Sequence, residues 1–335
     1  MVQAKVWRIK TVSQGVPKES DFECITETVP PCQDGEVIIE AEWLSVDPYM
    51  RYRIARGKPG DTVYGSQVAK VIESKNPDCP VGTYVVSYPG WRSHSKITAE
   101  GMKDPFQFTK LSDLGGIRRS AALGILGMPG NTAYFGFLEL CSPKAGETVV
   151  VNAAAGAVGS AVCQIAKIKG CRVIAFAGSP AKVDYVKSLG IEHVFNYKTD
   201  DVSQVLTKVA PNGVDCYFDN VGGDFTESVM PHLAEFARVS VCGAISTYNQ
   251  LPSLGSKSSG PFPSGIIISK QIRIEGFMVY RWSSRWMEGI NQIAQWIKEG
   301  KIKYEESVSN GFENMPKTFI GLFQGENLGK AVVKY

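Results

Sequence analysis

The chain has 335 residues, 44% of them hydrophobic and 21% charged, an ordinary globular composition at a length where one core stops growing, so two domains are expected. Its 36 Lys and Arg against 33 Asp and Glu leave a formal charge of +3 spread along the sequence, without the basic block on which nucleic-acid binding draws. No uninterrupted apolar run approaches the roughly 18 residues of a membrane span, and eight cysteines and three histidines stand far apart with no CxxC pair, as reduced thiols do rather than a disulfide framework or a zinc site.

The opening stretch, MVQAKVWRIK, alternates apolar and polar residues like a strand and lacks the apolar heart of a signal peptide, so a cytoplasmic protein with no membrane insertion is expected. AKVWRI, GEVIIEAEWLSV, SQVAKVIES and GTYVVSY follow as short strand-like runs punctuated by Gly and Pro, the pattern of a mostly β domain. From Ser120 the pattern changes. SAALGILGMPGNTAYFGFLELC reads as a helix interrupted at Gly127, Pro129 and Gly130 and resuming near Thr132.

Buried-looking strands TVVVNA, RVIAFAG, HVFNY, VDCYFDNVG and ARVSVCGA then alternate with helix-length VGSAVCQIAKIKG, PAKVDYVKSLG, DVSQVLTKVA and FTESVMPHLAEF. Continuous apolar strands between helices predict a doubly wound α/β domain with a parallel sheet covered on both faces. Residues 248–265, rich in Ser, Pro and Gly, read as a long functional loop. IRIEGFMVY reads as a strand, RWMEGINQIAQWIKEG as a helix, and the tail as two short strands around a helix, returning to the first domain.

Within the α/β part, Val149 to Val151 give a strand, Ala154, Gly156 and Gly159 fill the G-x-G-x-x-G positions, and Val158 to Ile168 supply a helix. Such a loop brings backbone amides and a helix N-terminus to a pyrophosphate. Alanine in first place costs little if that backbone keeps a negative φ. The second strand ends in Gly178 and Ser179 where an NAD site has an acid, and Lys182 follows, which predicts a preference for NADP(H) through its 2′-phosphate.

VDPYMR (46–51), GMPGNTAYFGFLE (127–139), NAAAGAVGS, CYFDNVGG (216–223), residues 242–249, GFENMP (311–316) and NLGKAVV (327–333) together resemble the zinc-independent medium-chain reductases. The resemblance implies a Rossmann domain (123–298) between two parts (1–122 and 299–335) of a GroES-like, mostly β catalytic domain, an active site in the cleft, and a homodimer joined across the Rossmann edge. Where zinc enzymes of the superfamily carry GHE, this chain reads GSQ from Gly65, so no metal is expected. By position, the family's cofactor contacts fall on Gly156, Ala157, Val158 and Gly159 at the phosphates, with Lys182 and Tyr197 around the 2′-phosphate. Asn220, the run Cys242, Gly243, Ala244, Ile245, Ser246, Thr247 and Tyr248, the run Phe277, Met278, Val279, Tyr280, Arg281, Trp282 and Ser283, and Asn327 complete the implied site. Phe277 and Val279 read equally as strand core, and Asn220 as a turn residue.

The chemistry the resemblance implies is NADPH-dependent reduction of the carbon–carbon double bond of small lipid-derived enones and enals, among them 15-oxoprostaglandins and 2-alkenals, with NADP+-dependent oxidation of leukotriene B at the 12-hydroxyl as a further reaction. A quinone acceptor is the alternative, and a non-enzymatic NADPH-binding or RNA-associated role the third reading. Hydride transfer of this kind needs donors aimed at a developing oxyanion and no covalent nucleophile. Where the family has a tyrosine, this chain has Ser269 followed by Lys270. If that tyrosine donates to the enolate, its role passes to the ribose hydroxyl of the cofactor or to Tyr49, Tyr248 or Tyr280, with Tyr49 the leading protein donor and Ser269 the position of the departure. Arg51, Arg53 and Arg56 are candidates for a substrate carboxylate, Arg56 with Tyr49 at the substrate.

Overall fold

Residues 1–250 and 263–335 are described in the computed structural model. In chain order the elements are β1 (Val2–Ile9), β2 (Phe22–Val29), β3 (Val37–Ser45), α1 (Met50–Arg56), β4 (Gln67–Ser74), β5 (Tyr84–Ser87), β6 (His94–Ile97), β7 (Phe108–Lys110), α2 (Met128–Leu138), β8 (Thr148–Val151), α3 (Ala157–Ile168), β9 (Arg172–Ala177), α4 (Pro180–Ser188), β10 (His193–Asn196), α5 (Val202–Val209), β11 (Val214–Asp219), α6 (Gly223–Val229), β12 (Leu233–Val241), α7 (Ser264–Ser269), β13 (Arg273–Gly276), α8 (Trp286–Lys298), β14 (Glu306–Asn310), α9 (Met315–Gln324) and β15 (Lys330–Lys334). The chain divides into one unit formed by Met1–Gly124 with Glu306–Tyr335 and a second formed by Ile125–Glu305.

The first unit is built on a GroES-like sheet in the order β14-β15-β3-β4-β5-β7, with β6 also on β3. Its pairs are antiparallel except β14 with β15. β3 lies at the centre because VIIEAEWLS is β-branched and apolar enough to be buried on both faces: Val37, Ile38, Ile39 and Leu44 are fully buried. Phe319 of α9 meets Trp91 at 5.8 Å and Phe22 at 6.2 Å between ring centroids, so the tail closes the core begun by the N-terminal strands. Removing such a buried ring costs about 3–5 kcal/mol. β2 escapes the sequence pattern because FECITETV is mostly exposed between its buried ends.

The second unit holds a wholly parallel sheet in the order β10-β9-β8-β11-β12-β13. The apolar runs are buried as expected, with Val149 to Val151 and Tyr217 to Phe218 fully inaccessible, and α3 buries Ala161, Val162, Cys163, Ile165 and Ala166. This is the doubly wound Rossmann arrangement. Strand order runs outward in both directions from β8, so the connections after β8 and β11 diverge and leave a crevice at the strands' C-terminal ends.

Two local expectations need correction. α2 begins at Met128, not near Thr132, with Pro129 in its first turn, where a missing N–H costs nothing because that donor has no helical partner. LAEF of FTESVMPHLAEF belongs to β12: α6 stops at Val229 and a short 3-10 turn through Pro231 redirects the chain. Of the loop expected at 248–265, residues 251–262 lie outside the described residues.

Candidate functional site

The loop after β8 carries backbone strain in one place. Ala153 has φ of +46°, a left-handed conformation costing an L-residue about 1–2 kcal/mol, while Ala154, at the first glycine position, is not among the positive-φ residues. Gly156 caps α3 in an extended conformation, so the amides of Ala157, Val158 and Gly159 form the first turn and point out of the helix N-terminus. At Gly159 a Cβ would stand 2.4 Å from the Ala153 carbonyl oxygen. Only glycine lets the helix press against its own entry loop, which is the third-glycine role of a dinucleotide fold.

Lys182 lies in the first turn of α4, whose N-cap Ser179 accepts from the Lys182 amide at 3.4 Å. A cation is unfavourable at a helix N-terminus, and this one is also half-buried. Desolvation first, and the neighbouring Lys198 second, pull its pKa below the ordinary lysine value. The Tyr197 amide donates to Ala177 O at 3.1 Å, which carries Lys198 to the end of β9. Among the described residues neither ammonium has an ion pair. A lysine in the first turn of a helix with no ion pair, and a second lysine near enough to act on its charge, suit a multiply charged anion. Tyr197 walls this corner: a Cβ on Gly178 would come within 2.9 Å of its hydroxyl. Lys198 was not singled out from the sequence, because its approach to Lys182 depends on the β9–β10 pairing.

Asn220 stands just beyond β11, and its amide nitrogen donates to Asn152 O at 3.0 Å. The run 242–248 is tied to the same turn by bonds from Ile245 N to Asn220 O at 3.3 Å and from Ser246 N to Val221 O at 3.1 Å. Cys242, Gly243, Ala244, Ile245 and Thr247 are half-buried, Ser246 is exposed and Tyr248 is buried, its hydroxyl oxygen accepting from Ala244 N at 3.3 Å. Burial first, and Asp219 second, push the Cys242 thiol up to about 12, which disfavours the thiolate.

In the run 277–283 side chains divide. Phe277 packs on Trp282 at 5.5 Å and on Phe218 at 6.3 Å, and Val279 and Trp282 are buried, so these three side chains serve the core. Met278 and Ser283 are exposed, Tyr280 is half-buried, and Arg281 pairs with Glu275 and covers Trp282. Ser269 ends α7 on the surface, its hydroxyl donating to Ile266 O at 3.3 Å, and Lys270 caps Pro231 O and Leu233 O.

In the other unit, Tyr49 precedes α1 and packs half-buried against the core. Its ring meets Tyr64 at 6.2 Å, Tyr64 meets Tyr88 at 6.0 Å, and the Arg53 guanidinium lies 4.7 Å over Tyr64. Arg51 is fully buried and donates to Ser13 O and Gly15 O, each at 3.0 Å, so it holds a loop. Arg56 ends α1 exposed, and Asn327 donates to Gly329 O at 2.9 Å.

A wholly parallel sheet with this glycine loop, in one chain with a GroES-like sheet, defines the medium-chain dehydrogenase/reductase class. Residues 5–104 match the family model described as the N-terminal domain of oxidoreductase, and residues 157–295 the one described as zinc-binding dehydrogenase. Among the described residues no group of three or more His, Cys, Asp or Glu could hold a metal ion, so they do not fit zinc. The chain is 51% identical to prostaglandin reductase 1 of Oryctolagus cuniculus over 99% of its own length and 93% of the relative's. It is 41% identical to the NADP(+)-dependent 2-alkenal reductase of Nicotiana tabacum, covering 97% and 95%. The structure of CurA from Vibrio vulnificus in complex with NADPH superposes with a TM-score of 0.89 at 36% identity, covering 98% of each chain. The chain belongs to the zinc-independent medium-chain reductase family that includes prostaglandin reductase 1.

Proposed function

We propose that this protein reduces the carbon–carbon double bond of α,β-unsaturated ketones and aldehydes at the expense of NADPH. The observation that carries the reading is Lys182 in the first turn of α4, after a β9 that ends in Gly178 against Tyr197 rather than in an acid, next to a loop whose backbone suits a pyrophosphate. The cofactor is NADP(H). When bound, NADPH supplies the hydride that adds to the β carbon of the substrate, leaving an enolate that takes a proton at the α carbon.

The chain's own residues bind and orient. Lys182 and Lys198 take the 2′-phosphate, with the Tyr197 hydroxyl a further donor beside Gly178. The amides of Ala157, Val158 and Gly159 take the pyrophosphate, with Gly156 opening the turn. Asn220, residues 242–248 and the backbone of 277–283 line the nicotinamide half, and Asn327 contributes from the tail. Tyr49 donates a hydrogen bond to the enolate oxygen, a group whose positioning by Tyr64 supports the role. Arg56, exposed at the end of α1, meets a substrate carboxylate. Ser269 makes a bond to its own helix and has no part in this scheme.

Mixing the protein with NADPH and a long 2-alkenal, a 15-oxoprostaglandin or a quinone, and repeating with NADH, tests the reading. Formation of the saturated carbonyl with NADPH supports it; turnover of quinone alone refutes it.

The protein also acts as a cytoplasmic homodimer. β13 is an edge strand with Arg273, Ile274 and Gly276 exposed, flanked by the exposed Ile268, Met278 and Phe236, and an apolar strand edge of this kind invites pairing with a second copy. Sedimentation at twice the chain mass is expected; a monomer at assay concentration refutes the dimer.

A further inference from the structure

Asp219, the last residue of β11, is buried, yet no role attaches to it. One carboxylate oxygen accepts from Asn152 Nδ2 at 2.8 Å and from the Val221 and Gly222 amides at 2.9 Å each. The other accepts from Thr226 Oγ1 at 2.6 Å. Its backbone carbonyl accepts from Cys242 N at 2.8 Å and Gly243 N at 3.1 Å. Asn152, fully buried just past β8, sends its second amide hydrogen to Tyr217 Oη at 2.7 Å, and its Oδ1 accepts from the Asn220 amide at 2.7 Å. Tyr217 Oη and Thr226 Oγ1 close the ring at 2.9 Å.

Four donors converge on one side chain, and only a carboxylate can accept from all of them. A buried network satisfied in this way is rigid, because leaving any member unpaired costs its full desolvation. It joins the ends of β8, β11 and β12, across the switch point between β8 and β11. It also fixes one amide: Asn220 Nδ2 must be the atom facing Asn152 O, since only the nitrogen donates. Asn220 thereby offers its Oδ1, an acceptor suited to a carboxamide N–H or a ribose hydroxyl.

We infer that Asp219, acting through Asn152, is a positioning residue for the nicotinamide half of the cofactor, holding three strand ends as one surface with Asn220 presented as an acceptor. The inference rests on the strand-end segments being the NADPH site. It separates the two halves of the cofactor, because the adenine half belongs to the β9–β10 side.

Calorimetric titration of the full chain with NADPH and with adenosine 2′,5′-bisphosphate tests it. Wild-type protein that binds neither ligand overturns the cofactor reading and this inference together. Otherwise Asp219→Ala is expected to weaken NADPH by about tenfold or more while leaving the bisphosphate within about twofold. Asp219→Asn keeps one oxygen for three of the donors but turns an amide toward Thr226, so it is expected to regain part of the NADPH affinity. A parallel loss of both ligands, an unaltered NADPH affinity, or no rescue by Asn would overturn the positioning role. If Asp219→Ala does not fold, Thr226→Val, which removes one of the four donors to Asp219 together with a partner of Tyr217 Oη, carries the same split at about threefold; its absence overturns the inference.

Discussion

Replacing Lys182 by Ala isolates the 2′-phosphate corner. A charge-assisted hydrogen bond contributes about 1.5–3 kcal/mol, and because Lys182 is only half-buried, solvent screening sets the lower part of that range, about 1.5–2 kcal/mol. At 1.4 kcal/mol per decade this raises the NADPH dissociation constant by about 10- to 30-fold. NADH has no 2′-phosphate and should bind as before. Lys198 is exposed, so Lys198→Ala should cost about fivefold or less. The two are coupled: Lys198 helps to depress the Lys182 pKa, and its removal strengthens the remaining ammonium, so the single effects should not add to that of the double variant. Steady-state kcat/KM with each coenzyme at pH 7 and a saturating enone gives all four corners of the cycle. Equal losses with NADPH and NADH would refute the assignment, and strict additivity would refute the coupling.

Because burial and Lys198 lower the Lys182 pKa, its charge is lost at a lower pH than the ordinary lysine value of about 10.4. NADPH affinity should therefore fall as pH rises toward that value while NADH affinity stays flat, a difference read by titration between about pH 7 and 10; a flat NADPH curve would contradict it. Tyr49→Phe should lower kcat by about a hundredfold with little change in KM, the signature of a lost oxyanion donor, whereas an unchanged kcat excludes Tyr49 from the chemistry. Lys330 is buried, donates to Val46 O and Ala331 O at 2.7 Å each and pairs with Asp47 at 3.1 Å. Lys330→Met leaves that carboxylate buried without its cation, with the Ser45 hydroxyl still donating to it, and should destabilise the protein by about 3–5 kcal/mol. Urea unfolding of Lys330→Met and of Lys330→Met with Asp47→Asn measures this, the double variant being the more stable; equal stability of the two would exclude the pair as the cause.

The parallel sheet was legible because strands buried on both faces must be apolar throughout, and Val149 to Val151 and Arg172 to Ala177 leave no other comfortable reading. The glycine loop was legible because its demands are local: a turn, a helix start, and a glycine where Gly159 meets the Ala153 carbonyl. What escaped notice depends on neighbours that the chain order does not supply. β2 shows only a weak pattern because, among the described residues, it pairs as a strand with β1 alone and most of its side chains between the ends are exposed. LAEF carries a helical spacing that the sheet overrides once Leu233 pairs with Val214, an instance of tertiary context defeating local preference.

The same distinction divides the candidate site. Lys182 announces itself through the acid missing at Gly178, a comparison made within one strand and one turn. Lys198 acquires meaning only when β10 lies beside β9, and Asp219 only when β8, β11 and β12 end together, 67 positions after Asn152 in the sequence. Arg51 makes the converse point. Beside Arg53 and Arg56 on seven-residue α1 it reads as one of three equivalent cations, yet a helix turns neighbouring side chains to different faces. The core takes Arg51 to Ser13 and Gly15, Tyr64 takes Arg53, and only Arg56 is left to meet a ligand from solvent. Residue type and spacing thus nominate the charges of a binding site, while the face of the element that bears them decides which can serve.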